Sequence, residues 1–134
     1  MRLLAPIAPA KSEPEGEAIF SAIGCATCHT PRMLTGPSAN PVFDRKPVPL
    51  FSDLLLHDIG AGDGIEQAAA TGDEIRTPAL WGLRYRRPLL HDGSAANVEA
   101  AIQRHAREAQ RSVDRYSALS PLERARLLSF LGSL

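Results

Sequence analysis

Residues 25 to 29 read Cys25-Ala26-Thr27-Cys28-His29, and they hold both cysteines of a 134-residue chain. Two thiols at this spacing can each add to one vinyl group of the same porphyrin edge, and the next residue then projects its imidazole to the iron. This is the attachment signature of haem c, one covalent group held by Cys25 and Cys28 with His29 as proximal ligand. Other chemistries use the same spacing. A redox disulfide of the thioredoxin kind sits beside a βαβ pattern, which the flanking sequence lacks. A zinc site needs a second ligand pair at compact spacing, and His57, His91 and His105 do not supply it.

Upstream of the motif, Ala18, Ile19, Ala22 and Ile23 have the spacing of one helical face, Glu15 and Glu17 favour its first turn, and Gly24 is placed to end it. Residues 1–14, with Pro6, Pro9 and Pro14, read as an extended linker, because each proline removes a donor and biases its predecessor away from helix. Downstream, Gly36-Pro37, Asn40-Pro41, Pro47 and Pro49 exclude long regular elements, so Pro31 to Pro49 reads as wrapping loop. Gly60, Gly62, Gly64 and Gly72 continue that character, and residues 51–97 are expected as turns and helical pieces rather than a sheet. Two helices close the chain. One runs from about Asn97 to Gln110, with Val98, Ala101, Ile102 and His105 on one stripe. The other starts at Ser120-Pro121-Leu122-Glu123, a capping box with proline at the first helical position, and ends before Gly132 with Leu127, Leu128, Phe130 and Leu131 as its apolar face. The expected fold is all-α: a cytochrome c-like domain over residues 15–134, built of short helices and long loops wrapped around one covalent haem.

Lys plus Arg and Asp plus Glu each number 15, so the chain lacks the one-signed field of a nucleic-acid binder. No apolar run approaches the roughly 18 to 20 residues that cross a bilayer. Arg2 and the triplet Ala8-Pro9-Ala10 resemble a signal peptide, but the stretch between them is too short and too proline-rich for a secretory core. An export signal is therefore expected upstream of Met1. Haem c is attached outside the bacterial inner membrane, which makes the periplasm the expected compartment.

Iron in a closed electron-transfer site needs a sixth ligand, commonly Met or His. Met33 follows His29 too closely to reach the opposite face of the macrocycle without a tight reversal. His105 is best placed, because it shares the inward stripe of its helix, although a core or surface histidine would occupy the same position. His57 is the second choice.

Four stretches resemble the C-terminal haem domain of the di-haem oxidoreductase (thiol oxidoreductase-like) family, which is related to bacterial di-haem cytochrome c peroxidases. They are Ile23-Gly24-Cys25-Ala26-Thr27-Cys28-His29-Thr30-Pro31, Phe51-Ser52-Asp53-Leu54-Leu55-Leu56-His57-Asp58, Arg76-Thr77-Pro78-Ala79-Leu80-Trp81-Gly82-Leu83 and Leu90-His91-Asp92-Gly93-Ser94. In the peroxidase relatives a helix after the His-Asp-Gly turn supplies the distal ligand, usually methionine, and the pattern puts His105 there. The resemblance thus implies a bis-histidine haem, with a lower potential than a His/Met site. It further implies a propionate contact for Arg76, packing of Trp81 against the haem edge, and a structural or propionate-side role for His91. Arg84, Arg86 and Arg87 are a candidate docking patch. Full-length relatives carry an earlier domain with its own Cys-x-x-Cys-His, and this chain has no second copy, so it looks like a C-terminal portion. Peroxidase chemistry belongs to that missing haem. The expected function is single-electron exchange with a redox protein partner; the alternative is the C-terminal haem domain of a di-haem, peroxidase-like enzyme that works beside a second haem domain.

Overall fold

A computed structural model describes residues 13–134. The linker expected over residues 1–14 lies outside the described part except for its end, where Pro14 already opens the first helix.

Helix α1 spans Pro14–Ala22 and is followed by Gly24 at φ 98°, a left-handed conformation that glycine adopts without Cβ strain. Its buried stripe is Gly16, Phe20 and Ile23. Ala18 and Ala22 are exposed, so the inward face is rotated from the one expected. At the other end of the chain, α4 (Pro121–Ser133) is capped as its sequence announces: Ser120 accepts from the Glu123 amide and Glu123 returns a bond to the Ser120 backbone. The helix continues through Gly132. Leu127, Phe130 and Leu131 are buried and Leu128 is half-buried. Helices α1 and α4 pack so closely that a Cβ on Gly16 would sit 2.4 Å from the Arg126 carbonyl oxygen and 2.5 Å from Phe130 Cβ.

The all-α expectation is corrected. The described chain is mixed: four α-helices stand beside two antiparallel two-stranded ladders, β1 (Met33–Leu34) with β2 (Pro47–Val48) and β3 (Leu56–His57) with β4 (Ile75–Arg76). Both ladders fall in segments expected as loop. Each strand is two residues long, too short to leave the alternation by which a strand is read from sequence. Their hydrogen bonds instead close the long loops that proline and glycine force on the chain.

The helix expected over residues 97–110 is also divided. Helix α2 is Val98–Gln103, started by the Asn97 side chain accepting from the Ala100 amide. The Arg104 and His105 amides then close to Ala101 and Ile102 in tight three-residue turns, and the Ala106 amide leaves the helix for the Ile59 carbonyl. After a short 3-10 turn, α3 runs over Gln110–Ser117. The core is one cluster in which Phe20, Ile23, Phe51, Tyr116, Leu127 and Phe130 are all buried.

Candidate haem site

The attachment motif begins where α1 ends. Cys25–Thr27 form a single 3-10 turn, and the His29 amide donates to the Cys25 carbonyl at 2.9 Å, which turns the His29 ring back over the helix end. Both cysteines are free and half-buried. Burial pushes the Cys25 thiol up to about 11, and burial, then Asp53 and Glu108, push Cys28 up as well. Reactive dithiols have lowered values, so this pair does not suit thiol–disulfide exchange.

The segment after Pro49 runs back along the motif. The Phe51, Ser52 and Asp53 amides donate to the carbonyls of Pro31, Thr30 and Cys28. Ser52 is fully buried and its hydroxyl donates to the Thr77 carbonyl at 2.9 Å, which pins this returning segment to the next loop. The result is that the Phe51 carbonyl faces His29 Nδ1 at 3.0 Å. A carbonyl only accepts, so Nδ1 carries the proton and Nε2 keeps its lone pair. Phe51 makes this contact at φ 51°, a left-handed conformation that costs a bulky residue of order 1–3 kcal/mol. Burial, chiefly, lowers His29 to about 4, against the opposing Phe51 hydrogen bond; nearby His105 lowers it further. The ring is neutral at pH 7. Behind it Phe20, Phe51 and Phe130 form a cluster of edge-on aromatic contacts, with Phe20 and His29 ring centroids 6.4 Å apart.

His105 repeats this arrangement from another element. Half-buried just past the end of α2, it sets Nδ1 2.7 Å from the Ala101 carbonyl, and Nε2 bonds to no described residue. It thus acts as a helix-end residue and not as a point on a continuous stripe. Two imidazoles, each fixed through Nδ1 by a backbone carbonyl, therefore offer Nε2 within electrostatic reach of one another. Fixing one ring nitrogen by a hydrogen-bond acceptor behind it is how proteins orient a metal-ligating histidine. With two free thiols beside one of them, the donor set fits a covalent haem.

His57 is engaged differently. Nε2 lies 2.8 Å from Asp53 Oδ2 and Nδ1 lies 2.9 Å from Glu108 Oε2. Hydrogen bonds donated to Glu108, then to Asp53, raise its pKa, so the imidazolium form is favoured. Cys28 Sγ, a carboxylate oxygen of Asp53 and a ring nitrogen of His57 lie within 4.8 Å of one another, a grouping the sequence spacing did not suggest. With the thiol pushed up and both imidazole nitrogens facing carboxylates, protons occupy the places a cation would need.

The remaining candidates are spread around the chain. Arg76 is exposed on β4, and its guanidinium makes no ion pair among the described residues. Trp81 is half-buried and its indole N–H donates to the Pro49 carbonyl. His91 is exposed at the tip of a turn closed by mutual backbone bonds between Leu89 and Ala95. Met33 is exposed on β1. Arg84, Arg86 and Arg87 each donate to backbone carbonyls, including Arg84 to Ser133 and Arg86 to Ala79 and Trp81, so much of the supposed docking patch serves the fold. Sequence reading missed Phe20, the Phe51 carbonyl, Asp53 and Glu108 as site elements. Asp53 and His57 stand four apart, a signal of sorts; nothing in the sequence brings Glu108 to them.

The family described as di-haem oxidoreductase, putative peroxidase, matches residues 7–134. No curated protein and no solved structure matches the chain.

Proposed function

The chain belongs to the di-haem oxidoreductase family, and from that premise we propose that this haem-related oxidoreductase domain carries single electrons through one covalent haem c. Cys25 and Cys28 would anchor it through thioethers, and His29 and His105 would hold its iron. When bound, the group supplies a one-electron ferric/ferrous couple. The carrying observation is the matched pair of imidazoles, each tied through Nδ1 to a carbonyl and each leaving Nε2 open. Phe51 orients the proximal ring while Phe20 and Phe130 keep water from its back. The neutral His29 ring loses no proton on ligation, and rings fixed through Nδ1 need little rearrangement when an electron arrives or leaves. Arg76, a cation without an ion-pair partner among the described residues, would be available to a propionate.

The test combines mass and optical spectra of protein matured with a cytochrome c assembly system. A mass increment of one haem and a low-spin spectrum are expected, and His105→Ala should convert the spectrum to high-spin while His57→Ala should not abolish the six-coordinate state. A mass equal to the bare polypeptide, or the reverse pattern in the two variants, would refute the reading.

The family's di-haem description favours a second reading, because two cysteines can anchor one haem and no more. In it, this domain relays electrons to or from another haem domain, which holds any peroxidase site. Either way the partners are redox proteins, and the compartment is the periplasm, where such thioethers are made.

A further inference from the structure

Beside the two imidazoles assigned to iron is a third that the proposed electron transfer does not use. Its surroundings join the supports of the other two. On one side, Asp53 follows Phe51 by two residues and its amide donates to the Cys28 carbonyl at 2.8 Å, so Asp53 belongs to the extended segment that aims the Phe51 carbonyl at His29. On the other side, Glu108 stands three residues beyond His105. Its Oε1 accepts from the Asp58 amide at 3.0 Å, its own amide donates to the Asp58 carbonyl, and neighbouring Arg107 pairs with Asp58 Oδ1 at 3.3 Å. The His57 ring spans from Asp53 Oδ2 to Glu108 Oε2. Both partners are carboxylates and accept only, so a ring bridging them donates from both nitrogens.

We propose that His57 is a positioning residue that clamps the segment orienting His29 to the turn carrying His105, so that the two imidazoles assigned to iron keep a fixed separation. The proposal rests on the ligand assignment given above. Backbone bonds such as Ala106 to Ile59 already bring the two segments together; the clamp adds a charge-assisted link that is directional and reaches Asp53 itself. Its side chain is 18% exposed against 54% for Glu108, so the Asp53 bond is the better shielded half. Loss of the bridge should leave the fold and the thioethers in place but let the His105 turn drift, weakening the distal bond to the iron.

The experiment uses the matured holoprotein, with cyanide as the probe that competes for the distal position. His57→Gln should keep the haem mass increment and the wild-type helical circular dichroism, yet bind cyanide roughly tenfold more tightly, the usual scale for loss of a partner behind a metal ligand. Glu108→Gln, a change at a half-exposed residue that leaves the Asp53 bond intact, should move the affinity the same way by less. Cyanide affinities equal to wild type in both variants would overturn the clamp. If His57→Gln fails to mature, Glu108→Gln alone decides by the same criterion. His105→Ala is the arm that tests the underlying assignment: it should bind cyanide far more tightly than either. If it binds like wild type while His57→Gln opens the iron, His57 is itself the ligand, which overturns the clamp and the ligand assignment together. A result in which only the His57 and Glu108 variants behave as wild type overturns the clamp and leaves the assignment standing.

Discussion

Replacing Gly16 by alanine tests the contact that sets the position of the whole site. A Cβ there would lie 2.4 Å from the Arg126 carbonyl oxygen and 2.5 Å from Phe130 Cβ, both parts of the chain that cannot swing aside. Restoring ordinary contact of about 3.5 Å requires α1 and α4 to part by roughly 1 Å, a gap that forfeits a quarter to a half of each dispersion well along the interface. Overpacking of this kind costs about 1–3 kcal/mol, and here the weakened contacts include fully buried Phe20 and Leu127. Alanine returns at most about 1 kcal/mol through helix propensity. We expect a net loss of about 2 kcal/mol, or roughly 6 to 10 °C in Tm for a chain of this size. Since α1 leads directly into the Cys25 turn, the displacement should also shift Phe20 against His29 and perturb the haem absorption band. Urea unfolding of matured protein, followed by circular dichroism and by haem absorbance with m-values compared, reads the effect. Stability equal to or above wild type at unchanged m would mean that the helices part without cost and that the reasoning is wrong.

Stability should be greatest in mildly acidic to neutral solution. His57 is raised above its ordinary value near 6.5, so its contribution is complete below that value and is lost as pH rises through the folded-state value; Asp53 is lowered from 3.8, its hydrogen bonds from His57 and the Leu55 amide outweighing burial, so its contribution is present above that value and is lost as pH falls. Urea midpoints across pH should therefore fall on both sides, and His57→Gln should flatten the alkaline limb. Tyr116→Phe should cost about 1 kcal/mol in the same assay, since it removes the hydroxyl bond to Glu99 at 2.9 Å while leaving a buried ring of the same shape. Stopped-flow mixing of reduced protein should show faster oxidation by an oxidised cytochrome partner than by hydrogen peroxide, because the proposed ligation by two imidazoles would leave no position at iron for peroxide; saturable peroxide turnover that outpaces the partner would point to an enzyme.

The most local features were legible in the sequence. Ser120 with Glu123 caps α4 as read, and the Cys25, Cys28 and His29 pattern behind the proposed haem attachment is equally local, because both patterns are complete within five consecutive residues or fewer. His105 was legible as a candidate for a reason that did not survive. It does not sit on a long helical stripe, since α2 stops at Gln103, yet the same break gives its ring the Ala101 carbonyl.

The sequence by itself determined the starts of α2 and α4, the glycine that ends α1 and membership of a haem family, all of them properties of short windows or of residue order, whereas nothing in it announced α3. Only the tertiary structure decided that the fold is mixed rather than all-α, that the Phe51 carbonyl is the partner of His29, and that His57 bridges Asp53 and Glu108 instead of standing free. Those facts depend on contacts across 22 residues for His29 and 51 for His57. Backbone carbonyls are present at every position and so leave no mark in composition. Which one a ring meets is fixed by loop closure and core packing, and these act on the chain as a whole.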